Sequence, residues 1–262
     1  MSKLKLIARM TLFGIVLFAY FTSSFILLAI HFFNFHKARP TLTKIVSLTS
    51  KLGLIIFNIK VNKVVKNTGS NSKSNFLIVS NHLTYLDILV ISSLYPTCFV
   101  TSVEMKQTPF LGQLCLLGGC LFVERRTKKN IGTEVEELTN ALKNGLNVVV
   151  FPEATSTNGE SVLNFKRPLF QAALNANINV LPVCLNYKRL SDENISLKNR
   201  DDAFWYDSTP FFVHALRLFS HHSVEVELIV RDELQVNNFE DKQSLAEKCH
   251  AEVSSMYLPI IK

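Results

Sequence analysis

The chain has 262 residues, a formal net charge of +7, and a composition that is 48% hydrophobic but only 19% charged. That length allows one substantial core, or one domain plus an anchor, and the apolar share is high for a soluble enzyme. The basic excess suits nucleic acid, an anionic bilayer or a phosphorylated substrate; no helix-turn-helix, zinc-finger or RNA-binding signature is visible, which sets nucleic acid aside and leaves a bilayer to explain both the charge and the apolar N-terminus.

Residues Met10 to Phe35 contain no Asp, Glu, Lys or Arg and are rich in Leu, Ile and Phe. A run longer than about 18 such residues is a transmembrane candidate. It is too long for the apolar region of a signal peptide, and no small-x-small cleavage site follows. Lys3, Lys5 and Arg9 precede it, and His36, Lys37, Arg39 and Lys44 follow it. Positive charge on both sides leaves the orientation open. A second stretch, Leu42 to Ile59, carries Ile45, Leu48, Leu52, Ile55, Ile56 and Ile59 at helical spacing, with Lys44, Lys51 and Lys60 off that stripe. This predicts an amphipathic helix at the interface, divided from the first helix by Pro40. Residues 1–65 are therefore expected to form a membrane-associated helix pair, either spanning or half-inserted. The polar linker 66–74 then opens a globular domain over residues 66–262.

In that domain strands are predicted at Phe76 to Ser80, Cys98 to Val103, Leu121 to Glu124, Asn147 to Phe151, Val180 to Tyr187 and Val224 to Val230. Helices fall between them: one opened by Thr108-Pro109, one with Ile131, Val135, Leu138, Ala141 and Leu142 on one face, one from Pro168, and a last one over Glu240 to Met256. The alternation predicts an α/β fold, a layered mixed sheet with helices on both faces, preceded by the N-terminal helix pair. In such sheets function gathers at the C-terminal strand ends, where His82, Arg125 and Glu153 follow three of the strands.

Five cysteines show no metal-ligand spacing and read as free thiols in a reducing compartment. His214, His221 and His222 have no metal spacing with nearby acids, so no metal site is expected and core or solvent roles are assigned to them. Phe204, Trp205 and Tyr206 suit either an interfacial aromatic cluster or core.

Asn81-His82-Leu83-Thr84-Tyr85-Leu86-Asp87 lies between a strand and an apolar helix. Histidine moves protons near neutral pH, and a neighbouring carboxylate fixes its tautomer and stabilises its imidazolium. On an ideal helix these two positions diverge by roughly 140°. They meet only if His82 precedes the helix and turns back over its first turn. Three further segments follow in order: Gly118-Gly119-Cys120-Leu121-Phe122-Val123-Glu124-Arg125, Phe151-Pro152-Glu153-Ala154-Thr155-Ser156 and Val180-Leu181-Pro182-Val183.

Together the four segments resemble the motifs of the glycerolipid acyltransferases, which acylate glycerol phosphate and lysophospholipids. The resemblance covers roughly residues 75 to 190. It implies a membrane-bound acyltransferase of phospholipid biosynthesis, placed at the cytoplasmic face of the inner membrane if the source is bacterial. The donor is an acyl-CoA or acyl carrier protein thioester, with no metal or prosthetic group. The acceptor is a lysophospholipid, foremost 1-acyl-glycerol 3-phosphate. His82 is the implied base and Asp87 its orienting acid. Glu153 is implied to bind the acceptor hydroxyl region, with Thr155 orienting Glu153 or touching a phosphate. Arg125 and Arg126 suit phosphate oxygens, Pro182 belongs to the fourth motif, and amides near Gly118 and Gly119 are candidates for the oxyanion. Lys128 and Lys129, and Lys166 and Arg167, are further cations near the motifs. Two departures stand out: Ala154 replaces a glycine suited to positive φ, and Ser156 replaces an arginine associated with phosphate. The second departure keeps another acceptor open, such as lyso-ornithine lipid. A non-catalytic membrane-binding protein of the same fold is the rival outside the class. A lipase or thioesterase is disfavoured because no Gly-x-Ser-x-Gly elbow occurs.

Overall fold

The computed structural model describes residues 2–65, 75–124 and 131–261. It opens with two long helices, α1 (Lys3–Ile30) and α2 (Phe35–Ile56), whose first turns are capped by the side chains of Ser2 and Asn34. The break between them is not at Pro40, which lies inside α2. At the sixth position of the helix proline removes one hydrogen bond and crowds the carbonyl four residues back, a local cost that α2 carries while keeping helical φ. The chain reverses instead at residues 31–34, where Phe32 and Phe33 take left-handed φ values of 51° and 58°. Such a conformation costs a bulky residue about 1–2 kcal/mol, and Phe32 is almost wholly exposed.

Along nearly its whole length α1 lies against the rest of the protein. Arg9 donates to the carbonyls of His221 and His222. Phe13 packs on Phe57 and Phe219. The Tyr20 hydroxyl donates to the Leu114 carbonyl, and Leu28 joins Ala38 and Leu42 in a small core of its own. The outer surface of α1 remains apolar and exposed, at Ile7, Ile15, Phe18, Phe25 and Ile26 among others. Among the described residues it is the one helix long and apolar enough to cross a membrane.

The strands and helices that follow are β1 (Ile59–Val65), β2 (Leu77–Ser80), α3 (Leu86–Leu94), β3 (Thr97–Ser102), α4 (Val103–Gln107), α5 (Leu111–Leu117), β4 (Leu121–Val123), α6 (Ile131–Lys143), β5 (Asn147–Val150), α7 (Gln171–Ala176), β6 (Val180–Leu190), β7 (Glu193–Asn194), α8 (Arg200–Ala203), α9 (Phe211–Ser220), β8 (Val224–Val230) and α10 (Lys242–Met256). They build a mixed sheet of order β1-β8-β6-β2-β5-β3-β4, flanked by helices, with β7 paired to β6. Pairing is parallel except for β6 with β8 and with β7. The central strands β2, β5 and β6 are nearly continuous apolar runs because both their faces are covered.

Strand β1 falls in the segment expected to end the membrane helices. Lys60, Asn62 and Lys63 interrupt its apolar pattern, as suits an edge strand, and it is its parallel pairing with β8 that defines it. Pro109 does not open α5, which begins two residues later behind Phe110. Pro168 opens only a single tight turn ahead of α7, and α10 starts at Lys242 behind the capping carboxylate of Asp241. Arg39, counted in sequence among the flanking surface charges, is buried. Its Nε donates to the Gly119 carbonyl at 3.0 Å and its Nη2 to Glu137 at 2.7 Å, tying α2 to the approach to β4 and to α6. Glu137 is partly exposed, so water screens the ion pair, and it is the buried guanidinium's bond to the Gly119 carbonyl that chiefly ties the helix pair to the domain.

Candidate active site

Strands β2 and β5 are parallel neighbours, so their C-terminal ends open at the same edge. His82 leaves β2 and Glu153 leaves β5, and they meet there: the His82 backbone N–H donates to Glu153 Oε1 at 2.7 Å. The other carboxylate oxygen accepts from the Leu163 N–H at 2.8 Å. Asn81 acts as a strand residue through its side chain, donating to the Leu185 carbonyl and accepting from the Leu185 N–H. The backbone on either side of His82 is thereby held by side chains where the ladder itself has ended.

His82 precedes α3, and its ring turns back over the first turn. Nδ1 lies 2.8 Å from Asp87 Oδ2. That oxygen also accepts from the N–H groups of Leu83 at 2.6 Å and Thr84 at 3.0 Å. Oδ1 accepts from the Tyr187 hydroxyl at 2.7 Å. Asp87 is completely buried, whereas the His82 side chain is 22% exposed. An ionised carboxylate only accepts, so the imidazole must place its proton on Nδ1 and leave the Nε2 lone pair free. Among the described residues nothing hydrogen-bonds Nε2. The ring of Phe151 stacks on the imidazole, centroids 4.1 Å apart, and limits its rotation. The arrangement leaves one imidazole nitrogen anchored and the other presented, the geometry that general-base chemistry requires.

Burial pushes the Glu153 carboxyl up to about 7; the N–H groups of Leu163 and His82 oppose the rise, and the charge of Asp87 adds to it. Ala154 adopts φ 61° in spite of its Cβ. The turn at the end of β5 thus holds the left-handed conformation the sequence argued against, at a cost of about 1–2 kcal/mol.

Other expected site residues lie elsewhere. Thr155 is exposed and its hydroxyl donates to the Ser156 carbonyl, so it does not orient Glu153. The Ser156 hydroxyl is committed to the Trp205 carbonyl. Gly118 and Gly119 do not supply oxyanion donors: their amides bond to the carbonyls of Leu114 and Leu116 in the cap of α5. Their missing side chains serve helix packing, since a Cβ at Gly118 would lie 3.0 Å from the Tyr20 hydroxyl and one at Gly119 3.0 Å from Arg39 Cγ, with Gly119 also at φ +74°. Pro182 sits within β6 opposite Val79, in the sheet and not at a strand end. Arg167 bonds to Gln243 on α10. Arg125, Arg126, Lys128 and Lys129 lie outside the described residues. His214 is buried between the Tyr85 hydroxyl and the Phe204 carbonyl, a core role as expected from its lack of metal spacing. All five cysteines are free.

A family model described as Acyltransferase matches residues 61–186, which include His82, Asp87, Phe151 and Glu153 and stop one residue short of Tyr187. The match spans a little under half of the chain, and over that segment the chain is similar to acyltransferases. It is 37% identical over 111 residues to a 1-acyl-sn-glycerol-3-phosphate acyltransferase of Neisseria gonorrhoeae, covering 42% of this chain and 44% of that protein. It is 30% identical over 183 residues to a lyso-ornithine lipid O-acyltransferase of Rhodobacter capsulatus, covering 68% of this chain and 64% of that one. The chain thus matches less than two thirds of either relative's length. The crystal structure of the 1-acyl-sn-glycerophosphate acyltransferase PlsC from Thermotoga maritima has the same fold, with a TM-score of 0.64 at 20% identity over 98% of this chain and 96% of that one.

Tyr187 and the Leu163 amide are site groups that lie outside the sequence motifs, and Phe151, inside the third motif, carries a stacking role the motif did not assign. Tyr187→Phe removes one of the four donors to the buried carboxylate while keeping the ring. Turnover is expected to fall about tenfold, and the acid limb of the pH–rate profile to move to higher pH, because a less neutralised Asp87 holds the imidazolium more tightly. An unchanged profile would reduce Tyr187 to a packing role. Glu153 carries its own pH signature. Its folded value of about 7 lies above the usual 4.5, so the stability it contributes is full below pH about 4.5 and lost as pH rises through about 7. Thermal unfolding at about pH 5 and about pH 8 should show this decline in the native chain and lose that part of it in Glu153→Gln.

Proposed function

We propose that the chain transfers a fatty acyl group from an acyl-CoA or acyl carrier protein thioester to the free hydroxyl of a lysophospholipid at a bilayer surface. The acceptor is 1-acyl-glycerol 3-phosphate and the product phosphatidic acid. The observation that carries this reading is the anchored imidazole of His82, Nδ1 against buried Asp87 and Nε2 presented.

The acceptor hydroxyl gives its proton to His82 Nε2 as its oxygen attacks the thioester carbonyl. Asp87, 2.8 Å from Nδ1, stabilises the imidazolium that forms. The tetrahedral intermediate collapses, the carbon–sulfur bond breaks, and the imidazolium returns the proton to the departing thiolate. No covalent acyl-enzyme is needed. Ser80, the nearest serine in sequence, is fully buried on β2 with its hydroxyl toward Asn81. Glu153 holds the His82 backbone, and each of its oxygens keeps a second lone pair for an acceptor hydroxyl.

The helix pair supplies the membrane side of the reading. A helix bound to the domain from Arg9 to Tyr20 keeps those contacts only when it lies along the domain surface. We therefore favour an in-plane, half-inserted hairpin with Phe32 and Phe33 at its tip over a full span. A second acceptor, lyso-ornithine lipid, is favoured by one observation: where the family motif has arginine, Ser156 spends its hydroxyl on a backbone carbonyl and offers no charge. Relatives bearing that activity's name align over more of this chain than the Neisseria protein does.

The test is transfer of labelled acyl groups from acyl-CoA and from acyl carrier protein to a panel of lysolipids by the purified chain. Transfer to 1-acyl-glycerol 3-phosphate, falling at least about 100-fold in His82→Ala, is the expected result. Transfer confined to lyso-ornithine lipid would select the second acceptor. Wild-type rates in His82→Ala would remove the mechanism.

A further inference from the structure

We propose that α9, together with Phe110, is a second bilayer contact, continuous with the outer surface of α1, that seats the catalytic loop at the depth where single-chain lipids lie. This rests on the membrane-surface reading above and adds to it a surface that neither the helix pair nor the sequence motifs contain.

The inner face of α9 is spent on the core, with His214, Ala215, Leu218 and Phe219 buried. Its outer face should then be polar if water covered it. Instead Phe212, Val213 and Leu216 stand 59%, 51% and 49% exposed at positions that share one side of the helix. Phe110 joins this face to α1. Its ring lies 5.4 Å from that of Phe212 and 6.1 Å from that of Phe21 on α1. To stand there Phe110 holds φ 67°, an unfavourable conformation for a bulky residue at the head of α5. The apolar surface therefore runs unbroken from Phe18 and Phe25 on α1, through Phe21 and Phe110, to Phe212 on α9. The occupant that covers one end of such a surface covers the other. The α1 end, open along a helix of 28 residues, fits lipid rather than a compact protein partner.

The same helix touches the active site. Tyr85, three residues after His82, hydrogen-bonds His214 of α9 at 3.0 Å, and its ring packs on Phe211 and Trp205. Lipid under α9 thus fixes the height of the loop that carries the base.

The chain has a single tryptophan, Trp205. With Trp205→Phe as background, Phe212→Trp and Val213→Trp place a reporter on α9, Phe18→Trp one on α1, and Glu247→Trp one on α10 as an unimmersed control. Each full-length variant is bound to anionic phospholipid vesicles containing brominated acyl chains. If Trp205→Phe fails to fold, the same reporters are read by difference in the native background. The α9 and α1 reporters are expected to lose at least about half their emission while E247W keeps its own. Quenching of F18W without F212W or V213W would overturn the proposal and leave the membrane reading standing. Quenching of none would overturn both. Shielding that grows with protein concentration and not with lipid would identify a second copy of the chain as occupant and overturn it as well. A kinetic arm separates the proposal from the acyl-transfer reading. Phe212→Ser with Leu216→Ser should slow transfer to a vesicle-borne acceptor about tenfold and leave transfer to a short-chain acceptor dissolved as monomers within about twofold. Equal loss on both acceptors would count against a lipid contact. Absence of transfer in the unaltered chain would sink the enzymatic reading without touching the quenching result.

Discussion

A full negative charge sits at the centre of this protein with no access to water. Leaving a carboxylate in that position uncompensated would cost several kcal/mol, so its surroundings are dictated by the need to satisfy it. Asp87 receives four donors: the His82 ring, two backbone N–H groups of its own loop, and the hydroxyl of Tyr187. The two backbone donors set the shape of the loop. The ring donor sets the tautomer of the imidazole. The tyrosine binds the first turn of α3 to β6. A single buried charge thus specifies the loop conformation, the orientation of the imidazole and the docking of a helix on a sheet. The same constraint explains why the carboxylate is an effective partner for an imidazolium, since its donors are fixed before any proton moves.

The sheet makes this possible through neighbours rather than through any one segment. Parallel pairing of β2 with both β5 and β6 brings residues 71 and 104 positions apart onto the two sides of His82. Where the backbone ladder stops, Asn81 and Glu153 take over as hydrogen-bonding partners of the main chain. The exits from the strands are tight enough that Ala154 accepts a left-handed backbone. Strain of this kind persists only where surrounding contacts over-determine the conformation, and here it marks the rim of the site.

What could be read in the sequence divides along the same line. Strands β2, β3, β5 and β8, being compact apolar runs, show themselves within a residue or two of their true bounds. His82 with Asp87 was legible because the pair is local and its geometry could be reasoned from the start of a helix. Tyr187 was not, because its contact with Asp87 spans 100 positions and depends on the register of β6 against β2. Gly118 and Gly119 misled for a related reason: their lack of side chains looks like an opening for a substrate, whereas Tyr20 and Arg39 from the N-terminal helices occupy the space. Arg39 itself looked like a membrane-flanking charge until tertiary packing buried it. Strand β1 was hidden by lysines that an edge strand tolerates, and Pro40 misled because α2 runs through it despite the hydrogen bond an interior proline forfeits.

The central claim is that Asp87 holds the His82 proton on Nδ1 so that Nε2 is the base. The most direct measurement is nitrogen-15 NMR of the His82 imidazole in the full-length, histidine-labelled protein at a pH where the ring is neutral. The account predicts a single tautomer with Nδ1 protonated and coupled to a strongly hydrogen-bonded proton, Nε2 bare, and loss of that preference in Asp87→Asn. A ring protonated on Nε2, or one averaging freely between tautomers in the native chain, would contradict it.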